Sequence, residues 1–340
     1  MKETVIVTGG AGYIGSHTII ELIENTDFNV VSIDNFSNSD KITFERIKDV
    51  TGVDVKNYNI DLCDKGILFN AIEETNIIGI IHFAAFKSVP ESVVNPMKYY
   101  KNNIDSLLNV LDFCKDRNIV SLIFSSSCSV YGNINVLPVK EDTPFNRAES
   151  PYAYTKQIGE RILEDFSISN PKLKTISLRY FNPVGAHISG KIGESPINPP
   201  TSLVPIITQT AIGIREKMFV HGTDYETRDG SCIRDYIHVS DIAKAHIQSL
   251  EYLIQKKNIN VNSIFNLGTG NGVTVIEAID AFKKVTNVPL NVEYGPRREG
   301  DVEAIYSETS KSSSELNWKP EIDLEEMMNS AWKWQQKIHN

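Results

Sequence analysis

Cysteine is scarce in this sequence, which has four cysteines and seven histidines among its 340 residues. None of the cysteines forms a Cys-x-x-Cys pair, and their scattered positions fit free thiols in a reducing compartment. They are Cys63, Cys114, Cys128 and Cys232. The histidines show neither a His-x-x-x-His spacing nor facing carboxylates. The sequence therefore argues against a disulfide framework and predicts no metal site.

A membrane-spanning segment is also missing. The longest nearly apolar run, residues 77–86, is interrupted by His82 and has about half of the ~20 residues that a transmembrane helix needs. No signal peptide fits the start, because a strand is predicted to begin by Thr4 and a glycine motif by Gly9. We therefore expect a cytoplasmic protein with no membrane partner.

Positive charge is in deficit, because 34 Lys and Arg residues face 43 Asp and Glu residues, which gives a net charge of −9. An acidic protein binds phosphate backbones and anionic surfaces poorly. We therefore expect no nucleic-acid partner, and any anionic ligand must be bound by local groups. Hydrophobic residues make up an ordinary 41%, and the length suggests two lobes or one large α/β unit.

Short apolar runs alternate with helical stretches in the first half of the chain. This alternation predicts βαβ units around a parallel sheet, whose buried strands are typically rich in Val, Ile and Leu. Strands are predicted at residues 4–8, 30–33, 55–60, 77–83, 119–125 and 175–179, and helices at 15–24, 96–117 and 151–169. Residues 183–202 are rich in Pro, Gly, Ser and Asn, which indicates a boundary or an irregular substrate-facing stretch.

The strongest local motif is Thr8-Gly9-Gly10-Ala11-Gly12-Tyr13-Ile14-Gly15, between a predicted strand and a predicted helix. Glycines at this spacing permit a tight turn and a close backbone approach, so that a pyrophosphate can lie at the helix N-terminus. By itself the motif fits a structural turn equally well. Asp34, 19 residues after Gly15, ends the next strand, where a carboxylate can bind a ribose 2′-hydroxyl. Its charge would repel a 2′-phosphate, which favours NAD over NADP, although a solvated strand-end Asp is the alternative.

Two further motifs carry hydroxyl chemistry. Ser150 can cap a helix that begins at Pro151, which places Tyr152 and Lys156 four residues apart on one face. An ammonium group and a cationic nicotinamide would lower the pKa of the phenol from about 10 toward neutrality. The run Ser125-Ser126-Ser127 follows a predicted strand, where a hydroxyl can relay a proton. The alternative for Tyr152 and Lys156 is a pair on the protein surface, and the alternative for the serine run is a capped turn.

Taken in order, these motifs make the chain resemble the extended short-chain dehydrogenase/reductase superfamily and, within it, the UDP-galactose 4-epimerase family. The resemblance covers nearly the whole chain. It rests on residues 7–17, 34–35, 82–87, 99–103, 125–127, 179–186, 234–239, 266–268 and 296–301. The most specific parts are Arg-Tyr-Phe-Asn-Pro-Val-Gly-Ala at 179–186 and Pro-Arg-Arg-Glu-Gly-Asp at 296–301.

The resemblance implies a Rossmann-type doubly wound parallel sheet with a smaller α/β C-terminal substrate domain. The NAD-binding domain would comprise residues 1–182 plus about 236–271, and the UDP-sugar domain about 183–235 plus 272–340. It implies an isomerase that interconverts UDP-galactose and UDP-glucose in galactose metabolism, through a 4-keto sugar and bound NAD. It also implies a homodimer that forms through helices such as residues 96–117 and 151–169.

The family's functional residues carry over position by position. NAD is expected at Gly9, Gly12, Tyr13, Ile14, Gly15, Asp34, Asn35, Phe36, Ser37, Asn38, Ser39, Asp61, Leu62, Phe83, Ala84, Ala85, Phe86, Lys87, Asn102, Ser127, Tyr152, Lys156 and Phe181. The UDP-sugar is expected at Lys87, Ser127, Tyr152, Asn182, Ser202, Leu203, Phe219, Val220, His221, Arg234, Arg298, Asp301 and Ile305. In catalysis, Tyr152 would take the sugar O4 proton with help from Ser127. Lys156 would hold the nicotinamide ribose and lower the pKa of Tyr152.

The chain departs from the family pattern at three substrate positions. Ser202 replaces an Asn, His221 replaces a Phe against the uracil, and Ile305 stands where the family tunes sugar size. A 4-epimerase of UDP-N-acetylhexosamines or UDP-uronates is therefore an alternative, as is a non-catalytic NAD-binding regulator. A 4,6-dehydratase is disfavoured because Cys128 and Ser129 replace its Asp-Glu pair.

Overall fold

The structure of the protein is a computed structural model that describes residues 2–255, 260–298 and 301–339. Its strands are β1 (Thr4–Thr8), β2 (Asn29–Ile33), β3 (Lys56–Tyr58), β4 (Ile77–His82), β5 (Ser121–Ser127), β6 (Lys174–Tyr180), β7 (Asn182–Val184), β8 (Met218–His221), β9 (Ile233–Arg234), β10 (Tyr236–His238), β11 (Asn262–Leu267), β12 (Val273–Thr274), β13 (Val292–Gly295) and β14 (Ala304–Ile305). Its helices are α1 (Tyr13–Asn25), α2 (Ile42–Thr51), α3 (Lys65–Ala71), α4 (Val89–Val94), α5 (Pro96–Asp116), α6 (Pro151–Ser169), α7 (Leu203–Ala211), α8 (Val239–Ile254), α9 (Val275–Thr286), α10 (Ser310–Glu315) and α11 (Leu324–His339).

The central sheet has the strand order β11-β6-β5-β4-β1-β2-β3, and every neighbouring pair in it is parallel. The predicted α/β fold with a Rossmann-type parallel sheet is therefore confirmed. The chain order reverses between β1 and β4, and ligands of such sheets bind at the carboxyl ends of the strands beside this switch point.

The predicted strand at 119–125 is shifted by two residues, because β5 is Ser121–Ser127. The prediction followed the apolar run, which stops at Phe124. The polar residues Ser125–Ser127 nevertheless stay in the strand because they pair with Leu178–Tyr180 of β6. The end of the strand that carries Ser127 could therefore not be predicted from the apolar run, because its side chains are polar.

Two apolar layers cover the two faces of this sheet, as the alternation of side chains along a strand requires. Val5 and Val7 of β1 lie in one layer with residues of α1 and α8, such as Ile19 and Leu250. Ile6 of β1 lies in the other layer, with residues of α3, α5 and α6. The helices thus hold the sheet from both sides and fix the position of the strand ends.

A third core occupies the C-terminal half and joins α7, α9 and α11 to β8 and β10. Ile207, Met218, Phe282 and Met328 are buried in it. Leu316 and Trp318, also late in the chain, instead pack in the layer with α1 and α8. The division into two domains at the predicted residues stays a prediction. Within the described ranges, no helix combines the length and apolar character needed to span a membrane.

Candidate active site

A cleft of about 670 Å³ opens at the carboxyl ends of the central strands. It brings together most of the residues predicted to hold the cofactor. They are Gly9, Gly12, Tyr13, Ile14, Gly15, Asp34, Asn35, Ser37, Asn38, Ser39, Asp61, Leu62, Phe83, Ala84, Ala85, Phe86, Lys87, Asn102, Ser127, Tyr152, Lys156 and Phe181. Phe36 is the predicted cofactor residue that does not line it. Its ring lies edge-on to Phe44, with the ring centres 6.1 Å apart.

The glycine loop allows the backbone to turn tightly into α1. Gly9 adopts a φ of +70°, and a Cβ at Gly15 would lie 2.3 Å from the Gly9 carbonyl oxygen. Among the residues that the structure describes, no side chain caps α1 at Gly12, and the first turn of this helix carries no acidic residue. This helix N-terminus, which lines the cleft, fits the pyrophosphate of a dinucleotide.

Asp34 is buried and hydrogen-bonded, so it is not the freely solvated strand-end residue considered as an alternative. Its Oδ2 accepts from the Ala11 amide at 2.9 Å, and its Oδ1 accepts from the Ser39 hydroxyl at 2.8 Å. The carboxylate therefore ties the end of β2 to the glycine loop and to the loop that follows. It lines the cleft, where it fits a ribose hydroxyl donor.

The predicted helix start at Pro151 is present, and it places the reactive side chains. The Ser150 hydroxyl accepts from the Ala153 amide at 3.2 Å, and α6 carries Tyr152 and Lys156 into the cleft. The Lys156 ammonium donates to the Ser125 carbonyl oxygen at 2.6 Å and lies 5.9 Å from the centre of the Tyr152 ring. Ser127 at the end of β5 interacts with the Tyr152 phenol and lowers its pKa.

Burial dominates the electrostatics of this pair. It raises the pKa of Tyr152 to about 12, an effect that the Ser127 side chain opposes. Burial likewise lowers the pKa of Lys156 to about 7, against the attraction of Glu160. In the protein alone, burial therefore outweighs the ammonium in setting the pKa of Tyr152, and the predicted lowering by Lys156 together with a cationic nicotinamide stays a prediction. Lys156 is itself desolvated, and its ammonium is bound to a backbone oxygen rather than to the phenol.

Few of the predicted substrate residues line the same cleft. Ser202 does so, as do Lys87, Ser127 and Tyr152, whereas the others lie outside it. These others are Asn182, Leu203, Phe219, Val220, His221, Arg234, Arg298, Asp301 and Ile305. The structure thus separates the predicted substrate positions into a group at the cleft and a group beyond it.

The second group contains a small ionic cluster next to an apolar one. Asp301 accepts from Arg298 at 2.8 Å and lies 3.6 Å from Arg234. Ile305 pairs in register with Arg234 and packs in a cluster with Phe181, which lines the cleft. Phe181 therefore connects the cleft to this second group.

At β8, the rings of Phe219 and His221 are 6.2 Å apart, and Val220 between them points into the third core. The strand alternation thus presents Phe219 and His221 on the same face.

Sequence reasoning missed cleft residues that come from distant segments. Arg46 lies over the Trp334 ring at 4.8 Å, and the Trp334 indole donates to the Glu194 carbonyl oxygen at 2.8 Å. The Glu194 carboxylate pairs with Lys87 at 3.1 Å. The composition of residues 183–202 was the available signal, because it indicated a substrate-facing stretch. Among the described residues, no group of three or more His, Cys, Asp or Glu side chains is placed to hold a metal ion.

Known proteins resemble this chain over almost its full length. The sequence model of the family described as GDP-mannose 4,6 dehydratase matches residues 6–331. The curated UDP-glucose 4-epimerase of Dictyostelium discoideum is 44% identical over 335 residues, which are 98% of this chain and 96% of the relative.

Two solved structures are similar in both sequence and fold. One is a UDP-glucose-4-epimerase from Stenotrophomonas maltophila with bound NAD and formylated UDP-arabinopyranose. It has 40% identity and a TM-score of 0.95, and the match covers 100% of this chain and 99% of that one. The other, from Bifidobacterium longum in complex with NAD+ and UDP, has 42% identity and a TM-score of 0.92, with 98% of both chains covered.

Proposed function

The chain belongs to the GDP-mannose 4,6 dehydratase family and, within it, to the UDP-glucose 4-epimerases, and we propose that it interconverts UDP-galactose and UDP-glucose. It is an isomerase, and its cofactor is NAD. The observation that carries the proposal is the placement of Tyr152, Ser127 and Lys156 in the cleft that begins at the glycine loop. A purely regulatory NAD-binding protein would not need these three groups together.

The cleft residues fit NAD. The uncapped N-terminus of α1 suits the pyrophosphate, the Asp34 carboxylate suits the adenosine ribose, and Lys156 suits the nicotinamide ribose. NAD held by these residues would supply the redox chemistry, namely acceptance of the C4 hydride of the hexose and its return to the opposite face of the 4-keto sugar. Because no net oxidation results, the cofactor stays with the protein between turnovers.

Tyr152 is the general base and acid of the proposal. Its phenolate oxygen takes the O4 proton as C4 is oxidised and gives it back when the sugar is reduced. Ser127 supports this transfer by hydrogen bonding, and its interaction with the phenol already opposes the raised pKa of Tyr152. Lys156 holds a positive charge next to the phenol and thereby favours its ionised form.

The UDP moiety belongs to the second group of residues. Arg234 and Arg298 supply guanidinium groups for the diphosphate, since their planar donors match phosphate oxygens. Further nucleotide contacts come from Asp301, Asn182 and Leu203 of this group, together with Ser202 at the cleft. Phe219, Val220 and His221 form the uracil side, and Ile305 limits the size of the hexose. This arrangement binds the nucleotide firmly and leaves the sugar free to turn over.

The oligomeric state and location belong to the same proposal. Helices α4, α5 and α6 expose large apolar side chains, which fit a homodimer formed by two copies of this surface. These residues are Val93, Val94, Met97, Leu108 and Ile168. All four cysteines are free, which supports a reducing, cytoplasmic location.

The proposal is tested by chromatography of UDP-galactose after incubation with purified protein and no added NAD. We expect UDP-glucose to appear, because the cofactor co-purifies. UDP-N-acetylgalactosamine, run in parallel, tests whether Ile305 admits a larger sugar. If UDP-galactose remains unchanged even after NAD is supplied, the proposed substrate is wrong.

A further inference from the structure

Helix α6 contacts the last three residues of β5 through three successive turns. Ser127 interacts with the Tyr152 phenol and lowers its pKa, and Lys156 donates to the Ser125 carbonyl oxygen at 2.6 Å. One turn further along the helix, Glu160 Oε1 accepts from the Ser126 hydroxyl at 2.5 Å. The strand end that presents Ser127 is therefore held by Glu160 as well as by the two residues already assigned to the reaction.

Glu160 is itself held by a buried ion pair with β6. Its side chain is 5% exposed and that of Arg179 is 2% exposed, and two hydrogen bonds join them at 2.7 and 2.9 Å. Arg179 also donates to the Tyr131 hydroxyl at 2.9 Å, and its strand position pairs in register with Ser126. Glu160 thus contacts both members of one β5–β6 residue pair.

Among the ionisable groups named around Lys156, Glu160 is the one that favours its charged form. His82 on β4 is buried, which lowers its pKa to about 3, so it is neutral. Tyr180 on β6 and Tyr152 on α6 are neutral phenols because burial raises the pKa of each. Arg179 on β6 is paired with Glu160. The Glu160 carboxylate is thus the anionic group that opposes the loss of the Lys156 proton.

We propose that Glu160 is a positioning residue for the epimerisation, which holds the end of β5 through Ser126 and supports the charge of Lys156 from one helical turn away. This inference rests on the proposed function, because it assigns Glu160 a role in the reaction of Tyr152, Ser127 and Lys156. A purely structural reading would make Glu160 only the partner that neutralises Arg179.

The decisive variant removes the whole ion pair, Glu160→Gln together with Arg179→Met, so that no buried charge is left unpaired. Thermal unfolding and bound NAD report folding. We expect kcat to fall about tenfold to a hundredfold, with KM for UDP-galactose within about twofold of wild type. We also expect the alkaline limb of the kcat–pH profile to move to lower pH, because Lys156 loses its supporting anion. Wild-type kcat and an unmoved limb would overturn the proposal.

A second variant tests the role of Glu160 if the Glu160→Gln, Arg179→Met protein does not fold. Ser126→Ala leaves the Glu160–Arg179 pair intact and removes one hydrogen bond. We expect kcat to fall while KM and bound NAD stay unchanged, and an unchanged kcat would overturn the role of Glu160 at the strand end. The matched control is Glu164→Gln on the same helix, a carboxylate about half exposed and paired with Arg161.

The wild-type protein separates the two proposals. If it does not interconvert the two UDP-sugars, the proposed function fails. If it does and the pair variant is equally active, only the role of Glu160 fails.

Discussion

The phenol of Tyr152 starts from a pKa that is unfavourable for a base, since burial raises it to about 12. The side chains around it explain how it is still suited to the reaction. Ser127 lowers the pKa of this phenol, and the Lys156 ammonium is held nearby by the Ser125 carbonyl oxygen. The sequence could predict that Tyr152 and Lys156 meet here, because their spacing on α6 is local, and that Ser127 joins them, because it follows a predicted parallel strand. It could not predict which effect dominates the pKa, because desolvation depends on the packed surroundings of the whole cleft.

Replacing Tyr152 by Phe removes the proton acceptor and keeps the ring. We expect kcat for UDP-galactose to fall by about 10²- to 10⁴-fold, with NAD still bound in the purified protein. Steady-state kinetics measure kcat, and the absorbance of released NAD measures how much cofactor the purified protein holds. Tyr154→Phe, two residues away on the same helix with an exposed ring, is the matched control and should retain wild-type turnover. Near-normal turnover by Tyr152→Phe would show that Tyr152 is not the base.

The contact of helix α6 with strand β5 depends on a glycine. A Cβ at Gly159 would lie 2.7 Å from Cζ of Phe124, a buried ring that is stacked on His82 and lies under the Lys156 ammonium. The ring has little room to move, so α6 would have to separate from β5. The position of Tyr152 and Lys156 relative to Ser127 and Ser125 therefore depends on this contact.

Gly159→Ala should lower the free energy of unfolding by about 1–3 kcal/mol through overpacking, in spite of the better helix propensity of Ala. It should also lower kcat, because the two elements that carry the reactive groups move apart. Gly66→Ala in α3 is the control, since the nearest atom to its added Cβ is 3.5 Å away. Chemical denaturation measures both variants. An equal or higher stability for Gly159→Ala would show that this close contact is not required.

Among the secondary-structure elements, the sequence predicted the parallel strands well, because buried strands such as β1 and β4 are nearly continuous apolar runs. It could not predict the short strands β9, β12 and β14. Each has two residues, too few for any periodicity, and pairs only with a distant segment. The contacts of Arg46 and Glu194 at the cleft were missed for the same reason.

Four buried histidines link the stability of the whole molecule to pH. Burial lowers the pKa of His17 and His82 to about 3 and of His238 and His246 to about 4. In the unfolded chain each returns to about 6.5. Unfolding therefore takes up protons below pH 6.5, so their contribution to stability is complete above that pH and is lost as the pH falls toward 4.

Each such histidine contributes a slope of up to about 1.4 kcal/mol per pH unit in this window. His246 lies between Phe83 and Tyr180, with ring centres 4.6 and 5.6 Å away, so a Phe ring fits its surroundings. We expect His246→Phe to reduce the slope of the unfolding free energy against pH between pH 6 and 4. The reduction should be up to about 1.4 kcal/mol per pH unit, which corresponds to one proton. Denaturant titrations at several pH values measure it, and an unchanged slope would show that His246 is not neutral in the folded protein.

Transfer of the C4 hydride is tested directly with UDP-galactose that carries deuterium at C4 of the hexose. The protein is incubated with this substrate in ordinary water, and the UDP-glucose formed is analysed by mass spectrometry and NMR. We expect UDP-glucose with the deuterium still at C4, because the hydride leaves and returns at that carbon within the same cleft. Product with hydrogen at C4, or no UDP-glucose at all, would contradict it.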